Sequence, residues 1–78
     1  MKLKLTAIIN KEEDMYVALC PELDIASQGN TIEEAKDNLK EAVSLFLECA
    51  SKEEITERYS EDIYISAIEV LSLIHISE

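Results

Sequence analysis

Apolar and polar residues alternate from Lys2 to Asn10, KLKLTAIIN. Leu3, Leu5, Ala7 and Ile9 fall on one face and Lys2, Lys4 and Thr6 on the other, the two-residue period of a half-buried strand. Lys11-Glu12-Glu13-Asp14 reads as a charged turn, and Met15–Cys20, MYVALC, as the returning strand of a hairpin. Pro21 lacks the N–H that a ladder needs, so pairing stops there and residues 21–24 form a corner. Ile25–Gln28 then reads as a short third strand, closed by a tight turn at Gly29-Asn30.

From Thr31 the period lengthens to that of a helix. Ile32, Ala35, Leu39, Ala42, Val43, Phe46 and Ala50 trace one apolar stripe, with Lys36, Asp37, Lys40, Glu41 and Glu48 on the solvated side. Thr31 is the expected N-cap. Glu34, three residues on, completes a capping box, and Glu33 and Glu34 sit where the helix dipole favours negative charge. A second helical piece is expected over about residues 52–59.

Residues 62–71, DIYISAIEVL, are apolar on both faces: Ile63, Ile65 and Ala67 alternate with Tyr64, Ile68 and Val70. Such a pattern marks a strand buried on both sides. The expected fold is therefore α+β in the order β-β-β-α-β, a four-stranded mixed sheet with one main helix on one face. One helix covers one face only. Ile8, Tyr64, Ile68 and Val70, joined by Val17 or Leu19, are expected to meet a second subunit, giving a homodimer or higher homo-oligomer. The length fits one domain, 1–71, and Ser72–Glu78 is a tail that fits none of these elements.

Composition narrows the function. With four aromatic residues and no tryptophan the core is left to small aliphatics, a marginal core that favours association. Seventeen acidic against seven basic residues give a net charge of −10, which repels phosphates and speaks against direct nucleic-acid binding. A basic protein is the electrostatic complement, solubility being the plainer explanation of the same charge. No apolar run reaches the roughly 18 residues of a membrane span. Met1–Lys4 runs straight into a strand pattern without a secretory leader, and Cys20 and Cys49 read as reduced packing residues. A cytoplasmic chain is expected.

The residues offer little chemistry. His75 is the only histidine and lies in the tail, so no Ser/His/Asp or Cys/His system assembles. No cation stands beside Cys20 to activate it. The first strand carries no acid between residues 3 and 9, against the mid-strand carboxylates of a two-metal nuclease; a metal pair of Glu22 and Asp24 is the remaining alternative. One glycine cannot build a phosphate loop. The expectation is a protein that is not an enzyme and holds no cofactor. Its candidate partner-binding residues are the acids of the two turns, Glu12, Glu13, Asp14, Glu22 and Asp24, weighed against ordinary solvated turns.

Tyr16-Val17-Ala18, Pro21-Glu22-Leu23, Ser27-Gln28-Gly29, Thr31, Glu33-Glu34-Ala35, Asn38-Leu39 and Glu41-Ala42, in this order, resemble the HicB-like antitoxin family, over Met1 to about Leu47. The resemblance implies a cut-down ribonuclease H-like domain that has lost its catalytic acids. It also implies a function: neutralising a small basic HicA-like toxin, which cleaves mRNA with a histidine, by covering its RNA-binding face and that histidine. Asp24-Ile25-Ala26 stands where many relatives carry a Pro-Gly-Cys corner. The chain ends before the C-terminal DNA-binding domain that many relatives carry, so operator binding is not expected of it. The alternative reading is an orphan oligomeric domain with a structural or regulatory role and no toxin.

Overall fold

Two hairpins turn the first part of the chain into a three-stranded antiparallel sheet, seen in a computed structural model that describes residues 3–74. Strands β1 (Ile8–Glu12), β2 (Met15–Cys20) and β3 (Ile25–Gly29) are followed by helices α1 (Ile32–Cys49) and α2 (Lys52–Arg58). The sheet order is β1-β2-β3. β2 and α1 lie where the hydrophobic periods put them.

β1 is displaced toward the tip relative to the expected strand. Its ladder runs from Ile8 opposite Leu19 to Glu12 opposite Met15, leaving Glu13-Asp14 as a two-residue loop. Two-residue hairpins are the connection that best matches strand twist, so pairing continues through the charged Lys11 and Glu12 up to the tip. Glu13 holds a φ of 55°, in the left-handed region that costs an ordinary L-residue about 1 kcal/mol. Glu13→Gly is expected to raise stability by about 1 kcal/mol, or roughly 5 °C in Tm, in a thermal melt. An unchanged Tm would mean that the tip stores no such strain.

The strand residues alternate between two faces. Ile9, Tyr16, Ala18, Cys20 and Ile25 turn toward α1, where Ala35, Leu39 and Val43 are buried and Phe46 and Leu47 are half-buried. Leu23, fully buried in the corner, plugs the end of this core. Thr31 caps α1 through its hydroxyl, which accepts the Glu34 N–H at 3.0 Å. The Glu34 carboxylate accepts the N–H of Asn30 rather than that of Thr31, so the expected capping box closes one residue further out. At α2 the reciprocal box is complete between Ser51 and Glu54, and the Arg58 guanidinium lies 5.2 Å from the centre of the Phe46 ring.

The expected fourth strand is not formed. After α2 the chain from Tyr59 to Ile74 holds no strand, and Tyr64, Ile68 and Val70 are 88%, 83% and 75% exposed. The fold is α+β, but in the order β-β-β-α-α with an antiparallel sheet, so the four-stranded mixed sheet and its ribonuclease H-like arrangement are corrected. An alternating run encodes readiness to be a strand; it becomes one only where an edge and a cover receive it. The expected shared interface face is divided for the same reason. Ile8 is half-buried on the sheet face away from α1, beside Met15, Val17 and Leu19, whereas Tyr64, Ile68 and Val70 project on the arm. Ser72–Ile74 are exposed; Lys2, His75 and the rest of the tail lie outside the described residues.

Candidate functional site

The corner after β2 is organised by Glu22. Pro21 offers no N–H, so the β1–β2 ladder cannot continue past it. The Glu22 carboxylate takes over: it accepts the Thr6 N–H at 3.0 and 3.1 Å and the Thr6 hydroxyl at 2.6 Å. Its Oε1 also accepts from the Cys20 thiol at 3.6 Å. A side chain thus stands in for backbone pairing and holds the segment before β1 against the corner. Glu22 is only 9% exposed, which corrects its expected place among the exposed partner-binding acids. The Glu22 carbonyl accepts the Ser60 N–H at 2.9 Å, so the chain after α2 is fastened to the same corner.

Two titrating groups meet there. Burial of Glu22 pushes its pKa up, but the Thr6 hydroxyl, the Thr6 N–H, its own N–H and the Cys20 thiol outweigh that and hold it below the ordinary 4.5. Burial chiefly, with the neighbouring Glu22 charge, raises the Cys20 thiol against the opposing pull of the Leu23 N–H. Cys20 therefore stays a protonated packing thiol with little nucleophilic character. Cys49 is exposed. Glu22 and Asp24 do not form the carboxylate pair considered for a metal, because Glu22 turns inward and Asp24 is exposed at a φ of 55°. Among the described residues no group of three or more His, Cys, Asp or Glu side chains converges as metal ligands would.

The other candidate partner-binding acids divide between the two ends of the sheet. Glu12, Glu13 and Asp14 are exposed at the hairpin tip. β3 ends opposite Tyr16, so α1 starts at this end too and adds Glu33 and Glu34. Asp24 lies at the other end of β2, roughly 20 Å away at about 3.4 Å per residue. Sequence reasoning grouped the two turns; the structure keeps them apart. It also missed that the Ser60 N–H is bonded to the Glu22 carbonyl, which fastens the segment leading to the exposed Glu61 and Asp62 to the corner. That contact spans a long stretch of chain and leaves no local signal. No helix among the described residues is long and apolar enough to cross a membrane.

Comparison with known proteins gives two relatives. The UPF0150 protein ssl0738 of Synechocystis sp. is 54% identical over 50 residues, 62% of this chain and 69% of that protein. A UPF0150 protein of Helicobacter pylori is 36% identical over 67 residues, 85% of this chain and 93% of that protein. No protein-family model and no solved structure matches the chain. The likeness to the Helicobacter protein covers most of both chains at more than 30% identity, and on it the chain belongs to the UPF0150 family.

Proposed function

We propose that this chain is an antitoxin-type binding module that neutralises a small basic, HicA-like mRNA-cleaving toxin by covering its RNA-binding and active face. The observation that carries the reading is the exposed acidic tip of the sheet, where Glu12, Glu13 and Asp14 form an unbroken run at the end from which α1 starts with Glu33 and Glu34. With a net charge of −10 this surface steers a basic partner and suits a protein that mimics the charge of RNA. The protonated, buried Cys20 and the inward-tied Glu22 are consistent with binding rather than catalysis. The HicB-like sequence elements support the same reading, and neutralising an mRNA-cleaving enzyme places the chain in the cytoplasm.

Co-expression with a small basic protein encoded beside it tests the proposal. A complex that silences RNA cleavage is expected. Joint Glu12→Lys, Glu13→Lys and Asp14→Lys substitution should weaken that complex by at least about 10-fold at low salt, while Glu53→Lys with Glu54→Lys changes it little. A basic neighbour that is ignored, or cleavage that continues in its presence, would sink the antitoxin reading. The exposed arm favours a second reading, an orphan homo-oligomeric domain without a toxin; a stable homo-oligomer indifferent to the neighbour would be its mark.

A further inference from the structure

The arm after α2 carries apolar side chains that the single chain does not bury. Tyr64, Ile65, Ile68, Val70 and Leu71 are all exposed, and Leu71 is 94% so. The molecule measures 49 × 29 × 18 Å with a radius of gyration of 15.6 Å, against about 11.5 Å for a compact chain of this length. The arm therefore runs away from the body. Its root is fixed: Tyr59 packs on the core, and the Ser60 N–H is bonded to the Glu22 carbonyl.

The body carries a matching vacancy. α1 packs chiefly on β3 and β2 and only lightly over β1. Between α1 and the segment before β1 this leaves a groove of about 560 Å³, walled by Leu3, Leu5, Leu39, Val43 and Leu47. Lys36 and Lys40 line its α1 side together with Glu33 and Asp37, so the wall carries two cations and two carboxylates. The arm from Glu61 to Ile74 bears Glu61, Asp62 and Glu69 and no basic residue, so of the groove's charged residues only Lys36 and Lys40 can pair with it, and the match is chiefly apolar.

We infer that this groove receives the arm of a second copy, and that two chains exchange arms across a two-fold axis. Each arm offers the five large, mostly exposed apolar side chains from Tyr64 to Leu71, and two such arms in two grooves are of the scale of the roughly 1,200–2,000 Å² buried in total by stable interfaces. An arm that leaves the body outward from a fixed root meets a neighbour's groove without undoing its own anchorage, and exchange of identical elements is a low-cost route to a dimer. The occupant is a second copy because the apolar surplus and the apolar vacancy belong to the same chain. This inference stands independently of the toxin.

Sedimentation of the full chain across concentrations tests it, with three further samples. The wild-type chain is expected to be a dimer. Ile65→Asp with Ile68→Asp in the arm should weaken self-association by at least about 100-fold, and Leu3→Asp with Ser44→Glu in the groove should do the same. The arm positions and Ser44 are exposed and Leu3 is 40% exposed, so far-UV circular dichroism should confirm that both variants keep the fold. Mixing the two variants restores one intact arm and one intact groove, and heterodimers should reappear. A monomeric wild-type chain overturns the inference, as does a dimer that survives the arm substitutions. Two variants that remain monomeric when mixed overturn it too.

Discussion

Replacement of Gly29 by alanine is expected to lower the melting temperature by about 15 °C. Gly29 ends β3 opposite Tyr16, and its φ is not in the left-handed region, so it is not there for a turn. It is there for space. A Cβ would stand 2.5 Å from the Ala35 nitrogen, 2.8 Å from the Glu34 carbonyl carbon and 2.9 Å from the Glu34 Cβ. Two of the three obstacles are backbone atoms in the first turn of α1, which cannot rotate aside. The helix must lift from the sheet, loosening Ala35 from the core and the hydrogen bond from Asn38 Nδ2 to the Gln28 carbonyl, 2.8 Å long. Overpacking of this kind costs about 3 kcal/mol, a large share of the roughly 4–12 kcal/mol that holds a domain of this size. In small domains each kcal/mol shifts Tm by about 5 °C. A melt of the alanine variant within 3 °C of the parent would show that α1 gives way easily there.

Glu22→Ala should cost a similar amount, about 3 kcal/mol by urea titration. The substitution removes the acceptor of both Thr6 donors and leaves a half-buried backbone N–H without a partner, and hydrogen bonds to an ionised group are the stronger kind. Glu22→Gln keeps the shape but presents a donor where Thr6 also donates, and should lose about half as much. The two variants separate packing from charge.

The dependence on pH follows from the sign of the shift. The folded carboxyl of Glu22 titrates below its ordinary 4.5, so folding favours the ionised form. Its contribution is complete above the unfolded value and is lost as pH falls through the folded one. The stability gap between the parent and Glu22→Gln should therefore be constant near neutrality and shrink below about pH 4.5. Comparing the two chains cancels the many surface acids that titrate in the same range. A gap that persists at pH 3 would mean that the carboxylate charge has no part in holding Thr6.

Local signals were the legible ones. β2 was readable because its bounds are set by a charged turn before it and Pro21 after it, and α1 because Thr31, two glutamates and a stripe from Ala35 to Phe46 act within a few residues of one another. Glu22 could not be placed from its neighbours. An acid next to proline in a corner is by default solvated, and only the approach of Thr6, sixteen residues earlier, makes it interior. Gly29 looked like a turn residue for a related reason, since the helix that crowds it lies beyond the turn.

The run Ile63–Val70 separates the two kinds of information. By itself the sequence determined an apolar, strand-capable segment, a capped amphipathic helix, a hairpin and a strongly acidic surface. Tertiary structure alone decided that the sheet closes at three strands, that the tip and corner acids face opposite ends, and that Glu22 turns inward. Period and capping are properties of adjacent residues, whereas pairing and burial are relations between distant surfaces. Those relations depend on which edge, groove or carboxylate the folded chain brings within reach.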